Sequence, residues 1–166
     1  MTKILIAGAS RGLGKHLYDK LKTTHDVVGI SRSADNGTFF CDITFSGDIE
    51  LLRKKHPDFT HIVVCAGVYG PLKSFHECSF SDWYNALLTN LVGPARLLHA
   101  YIPSMIERNY GKIVCLSGGG ATRAMYGASS YGASKAGLVR FCETLAHELY
   151  KDLPLIAPVV GAPPSS

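Results

Sequence analysis

Short apolar runs alternate with longer segments patterned for helices along the whole chain, and this alternation restricts the fold more than any other feature. "KILIAGA" (3–9), "DVVGISR" (26–32), "GTFFCDI" (37–43), "THIVVCAG" (60–67), "GKIVCLSG" (111–118) and "PLIAPVV" (154–160) have strand length, and several are apolar at consecutive positions. Between them the pattern predicts helices over about 13–23, 47–56 (ended by Pro57), 82–109 (with Ser81 as N-cap) and 131–151. Strands apolar on both faces and separated by helices require a parallel sheet covered on each side. Right-handed crossovers then give a doubly wound α/β fold. Such sheets take ligands at the carboxyl ends of their strands, near the switch in strand order.

With 166 residues, 46% of them apolar, the chain is read as a single domain over 1–166. A net charge of +4 arises from 17 basic and 13 acidic residues spread along the sequence, and the densest basic run, Arg53-Lys54-Lys55, lies in a polar helical segment. A solvated face fits this better than a nucleic-acid stripe, so no nucleic-acid partner is expected. Five cysteines form no CxxC pair, which reads as reduced thiols of a cytoplasmic protein. The apolar run in "MTKILIAGAS" is too short for a signal-peptide core or a membrane span, so no membrane partner is expected. Seven histidines without HxxxH or HExxH spacing argue against a metal site, and the absence of G-x-S-x-G argues against a hydrolase on this sheet.

"GASRGLG" places Gly8, Gly12 and Gly14 after the first strand and at the mouth of the first helix. Glycines there allow a tight turn and let the backbone approach a pyrophosphate, whose oxygens face free N–H groups and the positive end of the helix dipole. The spacing, G-x-x-x-G-x-G, meets the general dinucleotide fingerprint only loosely, and tight packing is the alternative. At the end of the second strand the chain reads Ile30-Ser31-Arg32-Ser33, without the acidic residue that accepts from a ribose 2′-hydroxyl. Arg32 and Arg11 offer guanidinium forks suited to a 2′-phosphate, which favours NADP(H) over NAD(H), unless both are ordinary solvated arginines.

Within "SYGASKAG", Tyr131 and Lys135 stand four apart on one helix face among small residues. A free tyrosine titrates near ~10, too high to exchange protons readily at neutral pH. A nearby ammonium stabilises phenolate, so the pair is expected to lower the tyrosine toward the range of general acid–base catalysis.

Together, Gly8-x-x-x-Gly12-x-Gly14, Tyr131-x-x-x-Lys135 and "CAG" (65–67) resemble the non-extended branch of the short-chain dehydrogenase/reductase family over about residues 3–150. The resemblance implies a Rossmann-like sheet and an NAD(P)-dependent reaction interconverting a small-molecule carbonyl and a secondary alcohol. It implies Tyr131 as proton donor and Lys135 as ribose ligand. Asn90 would bend the long helix and hold a proton-relaying water, and Ser117 would hydrogen-bond the substrate oxygen. Contacts to cofactor are implied for Gly8, Ser10, Arg11, Gly12, Leu13, Gly14, Ser31, Arg32, Asp42, Ala66 and Gly67, with Tyr131 and Lys135. Asp42 would touch the adenine amino group, its alternative being a helix or turn cap.

This chain departs from the family pattern in several places. Cys65 stands where the family has asparagine. The family serine falls thirteen residues before the tyrosine, at Gly118, whereas Ser117 is fourteen before it, so a one-residue bulge is needed unless Ser117 only caps the strand. After about Lys151 the family continues with a sixth strand, a Pro-Gly turn, a substrate-binding segment, a helix and a seventh strand. Here the chain reads "DLPLIAPVVGAPPSS", which predicts an open substrate side and leaves the substrate unassigned. Apolar residues on more than one face of the helices over 82–109 and 131–151 predict a second copy, as a homodimer or homotetramer. The leading function is an NADP(H)-dependent oxidoreductase. The alternative is a shortened homologue that binds nucleotide or a partner with little turnover.

Overall fold

A computed structural model describes residues 2–151 and 156–159. Its elements run β1 (Lys3–Ala7), α1 (Gly12–Leu21), β2 (Asp26–Ser31), β3 (Phe39–Phe40), α2 (Ser46–Lys55), β4 (His61–Val64), α3 (Phe80–Leu87), α4 (Gly93–Glu107), β5 (Lys112–Leu116), α5 (Ser129–Glu148) and β6 (Ile156–Val159). The six strands form one sheet in the order β3-β2-β1-β4-β5-β6, every pair parallel. Strand order reverses between β1 and β4, and that is the switch point at which a ligand is expected. The rest of the C-terminal segment in which a strand was predicted lies outside the described residues.

Both faces of the sheet carry helices, but unequally. On one face Leu5, Ala7, Ile62, Val64, Ile113 and Cys115 pack with Ile49 and Leu52 of α2, Leu97, Leu98 and Tyr101 of α4, and Leu138 and Cys142 of α5. The other face holds a smaller cluster, Ile4, Ile6 and Ala9 with Tyr18 of α1. The connection from β2 to β3 is a short turn at Asp35–Gly37, too brief to contribute a helix there. Among the described residues no helix is long and apolar enough to cross a membrane.

Three expectations are corrected. The predicted strand over 37–43 contracts to two residues: Thr38 still belongs to the preceding turn, its N–H bonding the Asp35 carbonyl, and Asp42 already caps the next turn at Thr44. Ser79, not Ser81, caps α3, its Oγ accepting from the Asp82 N–H at 3.4 Å. The helix predicted over 82–109 widens into a π turn at Leu88–Val92, where the Gly93 N–H reaches back five residues to the Leu88 carbonyl. Pro94 explains the widening: it has no N–H to give the Asn90 carbonyl, and its ring crowds that oxygen.

The apolar residues of the α3–α4 stretch and of α5 on which a second copy was expected divide between the core and half-buried positions. Leu97, Leu98, Ile102 and Leu138 are buried within the chain, while Leu87, Leu88, Leu91, Phe141, Leu145 and Leu149 are half-buried.

Close approach at the switch point requires glycine. Gly8 has φ +87°, and a Cβ on it would lie 2.6 Å from the Ala66 nitrogen, while a Cβ on Gly14 would collide with the Gly8 carbonyl oxygen. Backbone cannot yield as a flexible side chain can. Gly14→Ala is therefore expected to cost about 1–3 kcal/mol of stability, read as a lower urea midpoint; an unchanged midpoint would show that the turn relaxes freely.

Candidate active site

Three strand ends converge on a cleft of about 820 Å³. Gly8 to Gly14 contribute from β1, Ile30 to Ser33 from β2, and Cys65 to Val68 from β4. Gly8, Ser10, Arg11, Gly12, Leu13, Gly14, Ser31, Arg32, Asp42, Ala66 and Gly67 all line it. Tyr131 and Lys135 stand outside that lining set.

The floor suits a diphosphate. Arg11 occupies the N-cap of α1 without a capping bond from its own side chain, and no acidic residue stands in the first turn, so the dipole's positive end faces an anion without a competing carboxylate. Gly12, at φ +57°, has open space where a Cβ would be. Arg11 and Arg32 are exposed at the cleft. Asp35 lines it as well, a carboxylate four residues past the end of β2 that opposes a 2′-phosphate at this edge. Asp42 lines the cleft while its Oδ1 accepts from the Thr44 N–H at 2.9 Å and the Thr44 hydroxyl at 2.7 Å, the turn-capping role named as its alternative.

Beside the cleft, Asn90 occupies the π turn with no exposed surface. Its Oδ1 accepts from the Val68 N–H at 2.8 Å, and its Nδ2 donates to the Val68 carbonyl at 2.7 Å and to Ser134 Oγ at 3.0 Å. One amide thus ties the loop after β4 to α5. Lys135, only 5% exposed, donates from Nζ to the Leu116 carbonyl at 2.9 Å, and a Cβ on Gly67 would lie 3.2 Å from that nitrogen. Burial lowers its pKa, against an opposing influence of the Cys115 and Cys65 thiols. Burial pushes the Cys65 thiol up to about 11, so the residue replacing the family asparagine is a neutral thiol at ordinary pH.

Tyr131 is half-buried, with its hydroxyl against the Gly118 backbone, where any Cβ would collide with it. The expected lowering of its pKa is not found. Burial, and secondly Tyr69, raise it, because the Lys135 ammonium turns to Leu116 and lies 6.0 Å from the centre of the tyrosine ring. Nor is Ser117 brought to the phenol: its Oγ donates to the Lys135 carbonyl at 3.2 Å, toward the backbone of α5. No bulge rotates it into the cleft, and Gly118 is the residue that faces the phenol oxygen. Sequence reasoning also passed over Tyr69, whose ring lies 4.7 Å from that of Tyr131. Its place just after "CAG" at a strand's carboxyl end was the available signal.

Comparison with known proteins agrees with this geometry. A family model described as short chain dehydrogenase matches residues 47–159. The chain is 28% identical over 165 residues to a probable NADP-dependent dehydrogenase of Haemophilus influenzae, covering 89% of this chain and 66% of that protein. It is 29% identical over 175 residues to an NADPH-dependent pterin aldehyde reductase of Arabidopsis thaliana, covering 93% and 72%. A metagenomic short-chain oxidoreductase solved in complex with NADP matches with a TM-score of 0.83 at 26% identity, over 98% of this chain and 82% of that one. The chain thus spans roughly two thirds of the length of the curated relatives it matches.

Lys135 gives the site a stability cost that can be measured. Its folded pKa lies below the unfolded one, so the unfolded state binds more protons between the two values, and stability from this group rises as pH climbs through the folded pKa. Lys135→Met should therefore stabilise the protein at neutral pH by about 1 kcal/mol, with the advantage shrinking as the pH approaches 10.5, the ordinary lysine value. Urea titrations of both proteins at neutral and alkaline pH check this; a destabilised variant at neutral pH would contradict it.

Proposed function

Because the chain belongs to the short chain dehydrogenase family, we propose that it is an oxidoreductase that binds NADP(H) at the β1–β4 switch and interconverts a carbonyl and a secondary alcohol. The observation that carries this reading is the placement, along one sheet edge, of a glycine-floored cleft and a tyrosine four residues ahead of a buried lysine. NADP(H) is supported by Arg11 and Arg32 at the cleft and by the relatives described as NADP- or NADPH-dependent, with Asp35 tempering the preference. Five free cysteines suit a reducing cytoplasm.

When bound, the reduced nicotinamide supplies a hydride to the carbonyl carbon. Tyr131 gives its phenolic proton to the carbonyl oxygen, and the phenolate left behind takes a proton back from water. Burial keeps Tyr131 protonated across neutral pH but makes it hold that proton more tightly than a free phenol, so donation depends on a cation turning toward the phenolate as it forms. Lys135 can leave the Leu116 carbonyl to hold the ribose and stabilise the transient phenolate. Asn90 fixes Val68 and Ser134 on either side of the site, while the N-terminus of α1 would hold the diphosphate. The oxidising direction runs the same proton path in reverse.

A second reading, nucleotide binding with little turnover, draws on the orientation of Ser117, whose hydroxyl donates to the Lys135 carbonyl and not toward the phenol. The two readings part when NADPH binding, followed by nicotinamide fluorescence, is set beside NADPH oxidation with a panel of ketones, aldehydes and sugar derivatives. Binding with oxidation supports the oxidoreductase; binding without it supports the second reading.

NADPH should bind more tightly than NADH, and Arg32→Asp should reverse the order; equal affinities in the parent would contradict the cofactor assignment. Tyr131→Phe should lower kcat by about 10²–10⁴ while leaving NADPH affinity nearly unchanged. A variant with near-normal turnover would remove Tyr131 from the mechanism.

A further inference from the structure

Tyr69 has no part in the mechanism above, yet its backbone is fixed on both sides. Val68, before it, gives its N–H and its carbonyl to the Asn90 amide. Gly70, after it, sits at φ +71° with no room for a side chain, since a Cβ would lie 2.6 Å from Ser130 Oγ and 2.7 Å from the Ala86 Cβ. The loop is therefore seated on α3 and the first turn of α5, the helix that carries Tyr131. From that position the Tyr69 ring lies over Tyr131, with centroids 4.7 Å apart and planes tilted by 34°. From the β5 end, Gly118 and Gly120 back onto the same ring; a Cβ on Gly120 would lie 2.8 Å from Tyr131 Cδ1.

Tyr69 is also 49% exposed, so about half of it remains open beside the phenol. Leu72 and Phe75 of the same loop are exposed too, at 64% and 58%. A hydrogen bond of 3.1 Å between Ser74 Oγ and the Tyr126 hydroxyl joins this loop to the one between β5 and α5. Tyr131 is thus bordered by the half-open Tyr69 ring on a seated loop whose next apolar residues are also exposed.

We propose that Tyr69 is a positioning and specificity residue, clamping Tyr131 against the Gly118–Gly120 backbone and presenting an aromatic wall that selects carbonyls bearing a flat apolar substituent. This rests on the reading of Tyr131 as proton donor. Fixing the phenol ring holds the donor oxygen in one place, and a planar substituent stacked on the open part of Tyr69 brings its carbonyl beside that oxygen. Among the described residues, the titratable groups facing the Tyr131 ring are Tyr69 from the loop after β4 and Lys135 from its own helix. Burial is the largest cause of the raised Tyr131 pKa, so opening one face to water should lower it.

The test compares the full chain with Tyr69→Phe and Tyr69→Ala, using ring-labelled tyrosine with the Tyr131 resonances assigned by Tyr131→Phe. Stacking should shift those resonances in the parent and in Tyr69→Phe but not in Tyr69→Ala, where Tyr131 should also ionise at lower pH than in Tyr69→Phe. With NADPH, Tyr69→Ala should lose about tenfold or more in kcat/KM for acetophenone and much less for acetone, while Tyr69→Phe keeps the parent ratio and NADPH affinity stays within about twofold in both. Unchanged Tyr131 resonances and titration in Tyr69→Ala overturn the clamp, and an unchanged acetophenone-to-acetone ratio overturns the wall. A parent that oxidises NADPH with no carbonyl contradicts the proposed activity and the wall with it; the clamp then stands or falls on the resonances.

Discussion

The Asn90 amide is a fully buried polar group whose two N–H donors and carbonyl oxygen all engage protein atoms, and the geometry of the sheet edge follows from those bonds. Two of them pair with the backbone of Val68 and one with Ser134, whose hydroxyl in turn donates to the Tyr131 carbonyl at 2.9 Å. A buried donor or acceptor left without a partner costs about 1–3 kcal/mol. The loop after β4 and the first turns of α5 are therefore held in one relation. The π turn places this side chain, and Pro94 explains the π turn.

From that constraint the site separates into two parts of different character. The cleft floor is close-packed glycine backbone and a helix N-terminus, flanked by two exposed arginines, all suited to an anion that can be a large part of a cofactor. The proton-transfer side consists of side chains whose protonation is governed mainly by burial, which lowers Lys135 and raises Tyr131. Desolvation pushes the ammonium toward neutrality and the phenol away from ionisation, so each is biased toward its uncharged form. Burying the ammonium costs stability, and the phenol keeps its proton until that cation turns from the Leu116 carbonyl toward it.

Much of this was legible in the residues. Unbroken apolar runs such as "KILIA" and "KIVCL" identify buried parallel strands, and glycine placed directly after the first of them marks the switch point. What escaped depended on local geometry that no spacing encodes. Ser117 and Gly118 differ by one position, but the strand's pleat sends the serine to the α5 backbone and leaves the glycine facing Tyr131. The i, i+4 spacing of Tyr131 and Lys135 puts them on one face, yet the ammonium finds a carbonyl acceptor at Leu116 first. Tyr69 reaches Tyr131 only because Gly70 turns the chain at a positive φ, and Asp35 enters the cleft because the β2–β3 turn is so short.

Amide hydrogen exchange at Val68 tests most directly whether the Asn90 amide holds the site together. Asn90→Ala should speed exchange at Val68 by about a hundredfold, with the first turn of α5 loosening alongside, while amides in β1 keep their protection. Exchange at Val68 that is unchanged by the substitution, or protection lost equally from β1, would contradict the account.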